Sequence, residues 1–307
     1  MLDVGKLATL REVLARGSFS AAAAELSLTQ PAVSRQISLL ERQVGTQLVR
    51  RTQRGVHPTE AGRLLVEHAE AVLGRLVLAE AQLADLAGLR AGHVRLGSFF
   101  TALVYLSAEL AGVLEARHPE LFRRKDGVIE DQLVDRATAF RRLAAGEIDV
   151  AIVFEHPFNP GPAPADIELV ALFDDPPRAL VPAGHALAGA ASLTPADLAG
   201  DTWIRAHHGS AAGLVDHVLA HAQLQPSILH AGHGDEPIEA QAFVAAGNGI
   251  TVAHRLNVIL DPTQIAAVPL RDAPVRHIQA AIMREHRAPA ALAVLDALQE
   301  VGHRHVS

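Results

Sequence analysis

The stretch LSLTQPAVSRQISLLERQVG, residues 26–45, decides how the rest of the chain is read. On a helical wheel at about 100° per residue, Val33, Ile37, Leu40 and Val44 fall in one narrow arc, the pattern of an ordinary buried face. Pro31, Ser34, Arg35, Ser38 and Arg42 fall on the opposite side, with Gln30 at the helix start. Thr29 suits the N-cap, and Pro31 suits the first turn, where no backbone donor is needed. Small or flat groups at Pro31, Ser34 and Ser38 let such a helix approach another surface closely. Gln30 and Arg35 can reach base edges with paired hydrogen bonds, and a helix N-terminus favours phosphate. The same face also fits a plain solvent-exposed helix, so its neighbours decide.

Upstream, Leu7, Leu10, Val13 and Leu14 repeat at helical spacing, and Gly17 is a natural stop. Ser18 or Ser20 can cap a second short helix, SAAAAEL, whose alanines let two helices cross closely. Short helix, tight turn SLT, then a polar-faced helix is the helix-turn-helix arrangement, whose second helix enters the major groove. Downstream, LVRRTQRGVHPTEAG alternates and turns at Gly55, a hairpin carrying Arg50, Arg51 and Arg54. Three arginines beside a recognition helix make a wing that can grip phosphates. Arginines on an exposed strand edge also guard against aggregation, so no single one decides the matter. Thr59 can cap the helix that follows.

At 307 residues, about half of them apolar, the chain implies two or three units, each with its own core. The net charge of −7 hides a split, since residues 1–65 hold nine Lys/Arg against five Asp/Glu. A basic head on an acidic body implies that only the head meets a polyanion. The absence of cysteine excludes a disulfide-stapled secreted fold and a thiolate zinc site. The N-terminus does not read as a secretory signal, and no apolar run approaches the roughly 18 residues of a spanning helix. The expectation is a cytoplasmic protein with no membrane partner.

Beyond the hairpin, Leu65, Ala69, Val72, Leu76, Ala79, Leu83 and Leu86 are spaced alternately by four and three. This seam fits either pairing with a second helix or packing against the chain's own body. AGLRAG, residues 87–92, reads as a hinge. After it, HVRLGSFF reads as a strand and a following helix runs to about Arg117. FRRLAAGEIDVAIVFEH reads as helix end, turn at Gly146 and strand 150–154. RALVPAG, TWIRAH and GITVAH are further strand candidates, and GLVDHVLAHA, EPIEAQAFVAAG and the final APAALAVLDALQEV are helices. Strands alternating with helices imply an α/β unit with a mainly parallel sheet. The Pro/Gly-rich EHPFNPGPAPAD, residues 155–166, breaks this body in two.

Residues 17–69 resemble the winged helix-turn-helix of LysR-type transcriptional regulators. The resemblance rests on Thr29-Gln30-Pro31-Ala32-Val33-Ser34 followed by Gln36-Ile37, and on Arg51-Thr52-x-Arg54-Gly55 leading to Thr59-Glu60-Ala61-Gly62. It implies that Gln30, Pro31, Ser34 and Arg35 face DNA bases or nearby backbone, and the helical wheel adds Ser38 to that DNA-facing side. Arg51, Thr52 and Arg54 would meet phosphates. It also implies that the seam from Leu65 to Leu86 pairs two chains, and that dimers join as tetramers. Two heads on a two-fold axis match a near-palindromic site in double-stranded DNA. The body is similar to the effector-binding half of the same regulators, two α/β lobes like a type 2 periplasmic binding protein, on the weaker motifs LAAGEIDVAIVF and EAQAFVAAGNGITV. The implied layout is a head over 1–62, a linker helix over 60–90 and an effector domain over 92–307. Lobe I would take about 93–157 and 270–307, and lobe II about 166–265.

Ligands of open α/β sheets sit beyond the carboxyl ends of strands. That rule points to Ser98, Phe99, Phe100 and Thr101 on one side, and to His207, His208, Gly209 and Ser210 across the cleft. Ser98 and Thr101 serve equally well as helix caps. One departure stands out: ELFRRKDGVIEDQLVD, residues 120–135, is highly charged, lacks alternation and is too long for the second strand the resemblance implies. His217 and His221 have a helical metal-ligand spacing, but no Glu lies between them and 17 histidines make such a pair easy by chance. No nucleophile elbow, dinucleotide fingerprint or phosphate loop is present. The expectation is therefore an effector-controlled DNA-binding regulator, not an enzyme, with no metal and no cofactor. Its partners would be DNA, a small-molecule effector, its own copies and, for an activator, RNA polymerase. The alternatives are a ligand sensor whose head is unused, and an α/β enzyme with an accessory head.

Overall fold

A computed structural model describes residues 1–52, 55–86, 94–119, 129–156, 161–207, 209–231, 237–259, 261, 263–285 and 287–305. The chain divides into two compact units, one built on residues 1–91 and 141–148 and the other on 92–140 and 149–307.

The first unit begins with α1 (Val4–Arg16), α2 (Phe19–Glu25) and α3 (Gln30–Val44). Asp3, Ser18 and Thr29 cap these helices by accepting backbone N–H groups of their first turns, and Pro31 sits in the first turn of α3. Gly17 and Gly45 end α1 and α3 in the left-handed conformation. The expected inward arc is buried: Val33, Ile37 and Leu40 join Leu7, Leu10 and Val13 in one core. Ala22 and Ala23 of α2 are buried in it, as the close crossing requires. Each fully buried aliphatic side chain contributes roughly 1.5–3 kcal/mol.

The hairpin follows as β1 (Val49–Thr52) and β2 (Gly55–Pro58), paired antiparallel. One carboxylate fixes its base to α3: Glu41 Oε1 accepts the backbone N–H of Leu48 at 2.9 Å and of Val49 at 3.3 Å. Val56 N–H also donates to the Gly17 carbonyl at 2.8 Å, tying the wing to the end of α1. Helix α4 (Glu60–Leu86) starts under the Thr59 hydroxyl, which accepts from Gly62 N–H. A Cβ at Gly62 would lie 2.0 Å from the Leu48 carbonyl oxygen, so only glycine lets α4 pass the wing this closely.

The seam on α4 divides in two. Leu65 and Ala69 pack into the head's own core, so the expectation that they serve pairing is corrected. Val72, Leu76, Ala79 and Leu83 are not part of that core, and Val72, Leu76 and Leu83 are among the exposed large apolar side chains. The side chain of Leu86 lies outside the described residues.

After α4 the chain runs β3 (Val94–Ser98), α5 (Phe100–Arg117), β4 (Ile129–Leu133), α6 (Arg136–Ala144), β5 (Val150–Glu155), β6 (Ile167–Asp175), β7 (Pro177–Pro182), β8 (Trp203–Arg205), α7 (Gly209–His221), β9 (Ile228–His230), α8 (Pro237–Ala245), β10 (Thr251–His254), β11 (Ile265–Pro269), β12 (Arg276–Met283) and α9 (Pro289–Arg304), all in the second unit except the end of α6 from Arg141. Lobe I is a five-stranded sheet in the order β4-β3-β5-β12-β6, with α5 and α9 burying Leu106, Leu110, Val294 and Leu298 against it. Lobe II holds the three-stranded sheet β10-β7-β11 and the pair β8-β9, around Trp203, Val215, Val218 and Val252.

Three expectations change here. The sheets are mixed rather than mainly parallel: β3 pairs parallel with β4 and β5, but β12 runs antiparallel between β5 and β6, and β7 is antiparallel to both its neighbours. The doubted second strand forms, as β4. It is an edge strand with both faces largely open, so no alternation marks it, and the charged residues 120–128 before it lie outside the described residues. Lobe II begins near Pro177 rather than 166, because β6 pairs with β12 over its whole length and belongs to lobe I. The lobes are joined by the two crossovers, β6 to β7 through Pro176 and β11 to β12 through 270–275, while the Pro/Gly-rich segment, part of which lies outside the described residues, falls between β5 and β6 of the lobe I sheet. Among the described residues no helix is long and apolar enough to cross a membrane.

Candidate nucleic-acid interface and ligand cleft

In the head, Gln30, Pro31, Arg35 and Ser38 of α3 lie on its open face, and Ser34 is half-buried beside them. Ser34 Oγ accepts a hydrogen bond from Arg51 Nη2 at 3.0 Å. The Arg51 guanidinium also lies over the Phe19 ring, 4.2 Å from its centre. One arginine thus ties β1 to both helices of the helix-turn-helix. Thr52 closes the hairpin by donating from Oγ1 to the Gly55 carbonyl at 3.2 Å. Arg50 is exposed, and Arg54 lies outside the described residues. The open face of α3 and the wing therefore form one polar, cationic surface, with the buried face of α3 holding it in place.

In the body, a small cavity of about 20 Å³, opening outward, lies between the lobes. His156, just past β5, and Arg276, at the start of β12, come from the lobe I sheet. Ser210, Gln241, Thr251 and His254 come from α7, α8 and β10 of lobe II. Asn257, on the short turn after β10, completes the polar lining.

Its floor is a buried ion pair. Arg276 Nε donates to Asp175 Oδ2 at 3.1 Å, with side chains 3% and 0% exposed. Asp175 is the last residue of β6 and Arg276 the first of β12, and the two are register partners, so the pair fastens the lobe I ends of both crossovers. Asp175 Oδ1 also accepts Leu256 N–H at 3.1 Å, and Arg276 Nη2 reaches Asn257 Oδ1 at 3.1 Å. Thr101 donates to the same Asn257 oxygen at 3.1 Å, and Gln241 holds the Asn257 carbonyl at 2.6 Å and Ile259 N–H at 2.9 Å. The guanidinium stacks near Phe99 and Phe154, 5.0 and 4.9 Å from their centres. Burial presses the Arg276 pKa down, and Asp175 opposes that shift.

Two histidines face each other above this floor, with ring centres 5.0 Å apart. Burial, then the Arg276 charge, then His217 push His156 down to about 4. Burial, Arg276 and His156 hold His254 well below the usual histidine range, against a small opposing pull from the Pro274 carbonyl. Both rings are neutral near pH 7.

Of the eight residues expected from the strand-end rule, Ser210 lines the cavity, Thr101 joins the Asn257 network, and the Phe99 ring backs Arg276. Ser98 is fully buried in the sheet, with no hydrogen-bond partner for Oγ among the described residues. Phe100 turns to solvent, because it is the first residue of α5 and lies on its outer face. Exposed His207 stacks on His230 at 5.6 Å, Gly209 starts α7 outside the lining, and His208 lies outside the described residues. His217 and His221 stack on each other at 6.2 Å. The missed residues His156 and His254 stand at strand carboxyl ends, so the same rule, applied to every strand, would have found them. Arg276 and Asp175 carry no such signal, since neither β6 nor β12 stands out as a strand in the sequence pattern.

Residues 4–63 match the family model of the bacterial regulatory helix-turn-helix protein, lysR family, and residues 87–302 match the LysR substrate binding domain. The chain belongs to the LysR family. Its relatives include the HTH-type transcriptional regulator CbbR of Sinorhizobium medicae, 29% identical over 94% of this chain and 88% of that protein. A full-length OxyR variant from Pseudomonas aeruginosa has the same fold, with a TM-score of 0.68 at 22% identity over 97% of this chain and 95% of that one. Full-length CbnR, solved with its target DNA, aligns with a TM-score of 0.64 at 20% identity over 98% of this chain and all of that one. As a LysR-type transcriptional regulator, this protein pairs a DNA-binding head with an effector-binding body. The family is one of bacterial regulators and CbbR is a transcriptional regulator, a class of proteins that are generally not enzymes.

Proposed function

We propose that α3 reads bases in the major groove through Gln30, Pro31, Ser34, Arg35 and Ser38, while Arg51, Thr52 and Arg54 hold the flanking phosphates. The observation that carries this reading is the open face of α3, where small groups and two bidentate donors lie together above a fully buried opposite face. Two chains pair along α4 from Val72 onward, through Val72, Leu76, Ala79, Leu83 and Leu86, and pairs of dimers form the working tetramer. The cleft between the lobes takes a small-molecule effector and binds it without turnover. Binding favours one lobe arrangement over another and so shifts the placement of the heads. The protein works in the cytoplasm on double-stranded DNA, and where it activates, RNA polymerase is its further partner.

Selection of bound duplexes from random sequence tests the reading of the head. The expected result is enrichment of two-fold-related half-sites spaced by whole helical turns. Binding without any sequence enrichment would remove α3 as a base reader.

A further inference from the structure

The walls of the cleft narrow the chemistry of its ligand. His156 follows β5 of lobe I and His254 ends β10 of lobe II, so the two rings meet from opposite lobes. Arg276 lines the same cavity, with Nε and Nη2 committed to Asp175 and Asn257. Its Nη1 makes no hydrogen bond among the described residues. Among the described residues, the charged and titratable groups facing the rings are Arg276 from β12, with Asp175 of β6 behind it, and His217 from α7. Asp175 is already matched by Arg276, so a proton added to either ring is repelled by the guanidinium and by the other ring. An anion lodged between them inverts that balance, because opposite charge at short range favours the charged form of a histidine.

We propose that the ligand of this cleft is a small oxyanion, a carboxylate or phosphate-like group, held by His156, His254 and Nη1 of Arg276, and that it enters together with a proton taken up by the histidine pair. This rests on the reading of the cleft as the effector site. The proton comes from solvent to a ring nitrogen, and no covalent bond is made or broken. Burial and the Arg276 charge hold His156 down to about 4, so at neutral pH the bound complex holds a proton that the free protein lacks. Affinity then rises as pH falls, by up to about tenfold per pH unit for each proton taken up. Arg276 also begins β12, so a ligand on it acts where a crossover leaves lobe I.

The test titrates the full-length protein calorimetrically with oxalate, malate and sulfate, whose charges change little between about pH 6 and about pH 8, and with uncharged malamide. Repeating each titration in two buffers of different ionisation heat counts the protons. The expected result is saturable binding of at least one oxyanion and none of malamide, proton uptake near one per site, and affinity at least about tenfold higher at the lower pH. His254→Gln and His156→Gln should flatten that pH dependence. The imidazole signals of the wild-type protein, followed by NMR with and without the anion, give the same answer independently of how the variants fold. Binding of none of the three oxyanions, or preference for malamide, overturns the proposal. Binding that Ser210→Trp abolishes but that ignores pH keeps the cleft as the site and overturns the proton-coupled anion. Binding that survives Ser210→Trp overturns the cleft reading itself, and the proposal falls with it.

Discussion

The head and the cleft present charge in opposite ways. On the head, Arg35 and Arg50 stand exposed on one surface, and the counter-charge is left for a partner to bring. In the cleft, Arg276 and Asp175 are buried and matched in charge, and Asn257, itself held by Thr101 and Gln241, takes a further N–H of Arg276. A polyanion supplies its own charge over many sites, so the head needs only to fold and to stay open. A small ligand arrives at a site that must already be satisfied when empty, since an unpaired buried charge costs several kcal/mol. Substitutions on the head's outer face should therefore change binding and leave folding alone. Substitutions in the cleft should change folding first.

The largest effect tests the matched charge. Asp175→Ala strands the Arg276 guanidinium, which is 3% exposed, and should cost the body about 3–5 kcal/mol in denaturant unfolding. Replacing both partners, Asp175→Leu with Arg276→Met, should cost far less, because no lone charge is left behind. Equal losses in the single and double variants would show that the pair is not what holds the crossovers.

Acid is the next largest perturbation. His156 is held near 4 in the folded body and returns to about 6.5 when unfolded, so the unfolded state binds protons first as pH falls. Stability is then fully present above about pH 6.5 and is lost progressively down to about pH 4. The loss amounts to about 3 kcal/mol from His156, and His254 acts in the same direction. Thermal unfolding of the body at several pH values should show this slope, and His156→Gln should flatten much of it. A body equally stable across that window would mean the rings are solvated and the cleft is not closed.

The same contrast explains what can be read from sequence. An exposed functional face leaves a record in short-range pattern: apolar residues at one set of helical positions, Pro31, Ser34, Arg35 and Ser38 at the other. Caps at Ser18 and Thr29 and the Gly17 stop are equally local. The cleft leaves less of one: His156 and His254 stand at strand ends, but Asp175 and Arg276 meet over a long separation. Strands β6 and β12 sit against each other within lobe I, and nothing local in either marks it as the other's partner. Strand β4 is obscured for the opposite reason, since an edge strand with both faces open shows no alternation. The linker seam reads too long because periodicity alone cannot tell Leu65 and Ala69, which pack into the head, from Val72 onward.

Smaller effects sharpen the head's side of the comparison. Arg35→Ala should weaken specific DNA binding by roughly 1–3 kcal/mol if Arg35 reads a base, with the unfolding curve unchanged. A mobility-shift titration without loss would remove Arg35 from the reading set. Val72→Lys with Leu76→Lys should dissociate the linker pairing, because charge on an apolar seam opposes it and both side chains are exposed in the single chain. Analytical ultracentrifugation showing the unaltered assembly would refute pairing along that stretch.

Arg51 is the residue where the comparison bends, since it is an exposed cation with partners inside the head. Its guanidinium donates to Ser34 Oγ and rests on Phe19, so it fixes the wing against the reading face before any DNA arrives. If its role is a phosphate contact, Arg51→Lys keeps the charge and leaves the salt dependence of binding nearly intact, while Arg51→Ala lowers that slope by about one and weakens all sequences alike. If its role is to hold Ser34 and the wing in register, lysine cannot replace it, because a single ammonium reproduces neither the fork nor the flat stack. Both variants would then relax discrimination between sites, with lysine still preserving the salt slope. Measuring specific and non-specific binding across salt for the two variants separates these outcomes.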